Sequence, residues 1–133
     1  MNEIKYVSKE KLIELNILIL NQIKVKKADK AEILSNLKIH NIIDSHKNKK
    51  GDLYDKAIVL LKETIKSHAF ASGNRRTAFI ATKYFIIQNK GKFMIKNDPE
   101  NAYVFQGIRE NYYSDDEIKE WIKYGKIKKF ERK

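Results

Sequence analysis

A single proline, Pro99, interrupts 133 residues, and only five glycines accompany it. Sandwiches and barrels need many tight turns, and tight turns draw heavily on both residue types. So sparse a supply leaves long helices joined by few loops. The length suits one domain able to bury a sizeable core. Apolar residues at 42% and charged residues at 34% fit a folded domain rather than a disordered chain. Cysteine is absent, which excludes disulfides, thiolate zinc sites and a thiol nucleophile.

The net charge is +11 with histidines neutral. Such an excess attracts polyanions, whether nucleic acid, nucleotide or acidic protein surface, without choosing among them. A lysine-rich solvated surface explains it equally well. The chain opens on polar residues, not on a basic and then apolar leader. Its first helical segment holds an unbroken apolar run only at residues 17–20, far short of the roughly 20 residues a membrane span needs. A cytoplasmic protein with no membrane association is expected.

Hydrophobic spacing and capping residues outline an all-α, compact single-domain bundle of about six helices. Ser8 caps an apolar run at residues 9–23, rich enough in leucine and isoleucine to lie largely buried. A basic connector at 24–30 leads to a second helix over about 30–44. The polar stretch SHKNKKG, residues 45–51, reads as a loop, with His46 placed to favour a helix C-terminus. Asp52 caps a third helix, 53–67, and a central apolar helix follows at 74–88, ending near Gly91. Asn97 or Asp98 caps a fifth helix with Pro99 in its first turn, running to about 112. Ser114 caps the last, 115–124, whose acidic first turn complements the helix dipole. The division expected is a domain at 1–125 and a frayed basic tail at 126–133.

Most reaction motifs are missing. The sequence contains no P-loop, no HExxH and no GxSxG, and His40, His46 and His68 are too scattered for a metal cluster. Aromatic residues do not interleave with basic ones as on a base-stacking surface, so specific nucleic-acid binding is not expected. One segment stands apart: HAFASGNRRTA, residues 68–78. It places a histidine at a helix end, then a glycine turn, then a helix start bearing Arg75 and Arg76. A helix start offers unpaired N–H donors and a positive dipole end to an anion. Arginine adds planar donors that match phosphate oxygens. A histidine beside such a cradle is a candidate general base, and Phe70 would anchor the turn in the core. Ordinary cap residues and a solvated arginine pair would use the same letters.

This segment, HxFxxGNxRT, resembles the signature loop of the Fic/Doc (Fido) family, with the Doc, or death-on-curing, branch the nearest. Weaker likenesses run along most of the chain: Tyr6-Val7-Ser8, the stretch KAEIL at 30–34, and SDDEIKEW at 114–121. The resemblance implies that His68 acts as general base toward a Ser or Thr hydroxyl of a target protein, possible targets including a translation elongation factor. It implies that Gly73, Asn74, Arg75 and Arg76 cradle the phosphates of ATP or another nucleoside triphosphate bound with Mg²⁺. Phe70 falls on the loop's buried aromatic. Arg75 occupies the position that separates the branches: glycine there goes with AMP transfer, and lysine with transfer of the γ-phosphate. A large cation at this place resembles the Doc case and implies a toxin. Ser72 departs from the pattern, standing where the family carries the acid that helps hold Mg²⁺. A neutral hydroxyl is a poor ligand for a hard cation. Either the phosphates hold the metal, or another acid such as Asp44, Asp52 or Asp55 approaches, or the protein binds nucleotide or protein without turnover. The family's inhibitory motif, Ser/Thr-x-x-x-Glu-Gly/Asn, is missing, which implies an antitoxin acting in trans. The basic loop at 45–51 falls roughly where such proteins place a target-docking flap.

Overall fold

The structure, a computed structural model, describes residues 3–22 and 31–131. Among them the secondary structure is all-helical: α1 (Lys9–Gln22), α2 (Asn36–Asn48), α3 (Leu53–Ser67), α4 (Asn74–Gln88), α5 (Asn101–Arg109) and α6 (Asp115–Tyr124). No strand longer than a lone Ile33–Phe70 bridge occurs among these residues. The expected end of the first helix at Ile23, the connector at 24–30 and the last two residues of the tail lie outside the described residues.

Local chemistry starts each of the best-defined helices. The Asp52 carboxylate accepts from Asp55 N–H at 3.0 Å, and the Asp55 carboxylate accepts from Asp52 N–H at 2.8 Å. The same reciprocal box joins Ser114 and Glu117, and each satisfies helix-start donors that nothing else pairs. Ser8 accepts from Lys11 N–H at 3.0 Å and Ser35 from Lys38 N–H at 3.1 Å. The α3/α4 pair forms the centre of the bundle; α2, α5 and α6 pack on α3, and α1 lies on α4. Ala57, Leu60, Leu61, Ala78, Ala81, Phe85 and Ile86 are almost wholly buried at this central seam.

Several boundaries differ from the sequence reading, each for a non-local reason. The second helix starts at Asn36, because residues 32–34 are extended against residues 69–71. It continues to Asn48, so most of the expected basic loop is the last turn of α2 and no flap at 45–51 exists. The first helix is amphipathic rather than largely buried: Leu12, Asn16, Ile19 and Leu20 face inward, while Ile17 and Leu18 are exposed. The fifth helix is shorter than expected, beginning after a turn at residues 98–100. The left-handed residue after α4 is Lys90 (φ 61°), not Gly91. Gly91 is required for space instead, since a Cβ there would lie 2.7 Å from Leu53. Within residues 126–131 only Ile127 and Phe130 pack on the core, Phe130 meeting Tyr112 at 5.1 Å between ring centroids, and Tyr113 Oη donates to Lys128 O at 2.9 Å; Lys126, Lys128, Lys129 and Glu131 are exposed.

His46 is a core residue, not a charged helix cap. It is fully buried between Tyr6 and Phe85, its ring centroid 4.4 Å from that of Phe85. Val7 N–H donates to Nε2 at 3.3 Å, so the proton sits on Nδ1, which donates to Lys56 O at 2.9 Å. Burial pushes the imidazole down from 6.5 to about 4, outweighing the carbonyl partner that acts in the opposite direction. The unfolded chain therefore takes up this proton before the folded one does. The stability His46 contributes is whole above pH 6.5 and is lost as pH falls from 6.5 toward about 4. The loss is on the order of 3 kcal/mol. Thermal melts between pH 7 and pH 4.5 should show this decline, and His46→Gln should flatten it. A slope unchanged in the variant would assign the acid sensitivity to other groups.

Candidate active site

The loop singled out in the sequence joins α3 to α4 at the centre of the bundle. His68 ends α3 in the left-handed conformation (φ 55°, ψ 45°), which turns the chain sharply and leaves its imidazole exposed. Ala69 and Phe70 then dive into the core, both fully buried. The turn is held from four sides. On the first, the Asn74 amide accepts from Phe70 N–H at 3.1 Å and donates to Phe70 O at 2.9 Å, closing the loop on itself. On the second, Asn16 of α1 donates to Ser72 O and to Thr77 Oγ1, each at 3.0 Å. Leu20 supplies the third, its side chain 3.2 Å from where a Cβ on Gly73 would sit. Along the fourth, Leu34 N–H donates to Ala69 O at 2.8 Å and Ala71 N–H to Glu32 O at 2.9 Å.

Gly73 begins α4 with φ 77° and no side chain caps this helix start. Only glycine adopts that backbone without strain. The N–H groups of Asn74, Arg75 and Arg76 thus open α4 as uncapped donors. The Asn74 side chain is committed to Phe70, so its contribution toward an anion is the backbone N–H. Arg76 is exposed and, among the described residues, its side chain makes no hydrogen bond or ion pair. Arg75 is half-buried, and its guanidinium donates to Gln106 on α5.

The structure thus brings His68, Phe70, Ser72, Gly73, Asn74, Arg75 and Arg76 into one braced turn. It does not bring the alternative acids there. Asp52 and Asp55 sit at the opposite end of α3 and pair with Lys119 at 3.7 and 3.1 Å. Helical rise puts that end about 20 Å from His68. Asp44 accepts from Asn48 near the far end of α2. No group of three metal-ligating side chains occurs among the described residues. Hence the uncapped helix start fits nucleotide phosphates, whereas the turn offers no carboxylate of its own to Mg²⁺.

Three contributors escaped the sequence reading. Asn16 was hidden within the apolar run of α1, although a lone amide on a buried face is itself a signal. Residues 32–34 read as helix, and Gln106 carried no local mark at all.

The six described helices, with this turn joining the central pair, are consistent with the helical fold of the Fic/DOC family. The family model described as Fic/DOC matches residues 6–86, more than half of the chain, and this protein belongs to the Fic/DOC family. The match runs from before α1 almost to the end of α4 and includes the whole turn. Members of this family are generally transferases that modify proteins using a nucleoside triphosphate. No curated protein matches the chain. No helix among the described residues is long and apolar enough to cross a membrane.

Proposed function

We propose that this protein is a Doc-like cytoplasmic toxin that transfers the γ-phosphate of a nucleoside triphosphate to a Ser or Thr hydroxyl of a target protein. The observation that carries the reading is the juxtaposition at the turn. An exposed imidazole ends one central helix, and six residues later an uncapped, doubly cationic helix start opens the next. His68 would take the hydroxyl proton as that oxygen attacks the γ-phosphorus, and the nucleoside diphosphate would leave. The α4 N–H groups, with Arg75 and Arg76, would spread the phosphate charge. Positioning and charge neutralisation are what phosphoryl transfer chiefly asks of a protein. Arg75 favours γ-transfer over AMP transfer, because a large cation stands at the branch-defining position. An antitoxin in trans suits a chain of charge +11 that carries no inhibitory motif of its own.

Mg²⁺ would arrive with the nucleotide, held by phosphate oxygens, since Ser72 supplies no carboxylate. Ser72 also favours a second reading, in which the protein binds nucleotide or protein without catalysis. ATP labelled at the α or the γ phosphate separates these readings when incubated with purified protein, Mg²⁺ and cell extract. The expected result is a protein band carrying only the γ label. An α-labelled band would replace the proposal with AMP transfer. Binding of ATP without either label entering protein would favour the non-catalytic module.

A further inference from the structure

Arg75 and Arg76 are neighbours in the first turn of α4, yet the fold treats them differently. Arg76 is exposed and its side chain unpartnered among the described residues, while Arg75 is held. Its Nη2 donates to Gln106 Oε1, and Gln106 Nε2 donates in turn to a carboxylate oxygen of Glu110. Glu110 caps the C-terminus of α5 and follows Gln106 by four positions, about one helical turn, so the two side chains lie side by side. Both contacts dictate the same orientation of the Gln106 amide. Guanidinium only donates and carboxylate only accepts, so a flipped amide would oppose like groups at both ends. The chain of bonds therefore has one polarity, from Arg75 to Glu110.

The interposed amide has a chemical consequence. A carboxylate bound directly to Arg75 would occupy the two-pronged edge of its guanidinium and cancel its charge. A neutral amide takes one of the five N–H donors and cancels nothing. The side chain is thus ordered, still cationic, and still rich in donors beside an uncapped helix start. Ordering it before an anion arrives reduces what binding must immobilise. Gln106 and Glu110 also lie beyond residues 6–86, outside the stretch the family model matches.

We propose that Gln106 and Glu110 are positioning residues that aim Arg75 at the terminal phosphate of a bound nucleoside triphosphate, and so set the preference for triphosphate over diphosphate. The proposal rests on the reading of the α3–α4 turn as a nucleotide site.

Equilibrium binding of ATP and of ADP, each with Mg²⁺, tests it without requiring turnover. Wild-type protein should prefer ATP. Gln106→Leu should weaken ATP binding about tenfold while changing ADP binding less than about twofold. Arg75→Ala should do the same, and the double variant should lose no more than Arg75→Ala alone, because Gln106 acts through Arg75. The paired exchange Gln106→Glu with Glu110→Gln keeps a hydrogen-bonded partner on Arg75 but puts the carboxylate directly on its guanidinium, so it should not restore the preference. Glu110→Ala, at an exposed position, should shift the ratio in the same direction and stands in should Gln106→Leu not fold. An unchanged ATP/ADP ratio, or equal weakening of both ligands, would overturn the positioning role and leave the nucleotide site intact. A wild-type protein that binds neither nucleotide would overturn both.

Discussion

His68→Ala is expected to lower γ-phosphate transfer by a factor on the order of 10²–10⁴ while the protein stays folded and binds nucleotide. The imidazole is exposed, and among the described residues no side-chain hydrogen bond ties it down, so its removal opens no cavity. What His68 supplies structurally is a left-handed backbone at the end of α3, with φ 55°. Alanine resists that conformation, and asparagine accepts it more readily. His68→Asn therefore separates the two roles. A general base is lost in both variants, so both should fall by similar factors. A backbone effect would spare His68→Asn and be visible as a lower melting temperature in His68→Ala. Nucleotide affinity should change by less than about threefold in either, because phosphates meet the α4 start rather than the imidazole. Transfer within about threefold of wild type in both variants would remove His68 from the chemistry.

The parts of this fold legible in the sequence are those governed by neighbours in the chain. Asp52 and Ser114 each begin a capping box, and the helices they open, α3 and α6, run over the residues their patterns predict. Gly73 likewise marks the start of α4. Where a distant segment decides, the reading fails. KAEIL looks like the opening of a helix, but residues 32–34 bond to the backbone of residues 69–71, and α2 waits until Ser35 can cap it. His46 looks like a helix-end cation, yet the core formed by Tyr6 and Phe85 closes over it. The seven residues of the turn were legible as a group, because its histidine, glycine and arginines have unusual spacing. Their bracing was not, because Asn16 and Gln106 come from helices 56 and 31 residues away along the chain from their partners Ser72 and Arg75. The departure at Ser72 was visible at once, but only the folded chain shows Asp52 and Asp55 tied to Lys119 at the wrong end of α3.

Phe70→Ala should have the largest effect on stability. Phe70 is fully buried at the base of the turn, opposite Ile33 in the lone bridge. Removing its ring forfeits the transfer energy of the side chain and leaves a cavity between packed helices, which together cost about 3–5 kcal/mol. The remaining supports of the turn are weaker. The two hydrogen bonds that Asn74 makes to Phe70 contribute roughly 0.5–1.5 kcal/mol each, net of the water bonds they replace. They also depend on Phe70 keeping its place, since its backbone is their partner. The ring therefore holds the turn, and the hydrogen bonds choose its shape. In a domain of this size the loss should lower the melting temperature by roughly 10–20 °C. Phe70→Leu keeps an apolar anchor and should cost about 1–2 kcal/mol, with nucleotide affinity largely retained. Below its melting temperature Phe70→Ala should bind nucleotide more weakly than Phe70→Leu, because a loosened turn no longer presents the α4 start in one geometry. Melting curves and ATP titrations of the pair decide the matter: a shift under about 4 °C for Phe70→Ala would mean that the hydrogen bonds, not the ring, carry the turn.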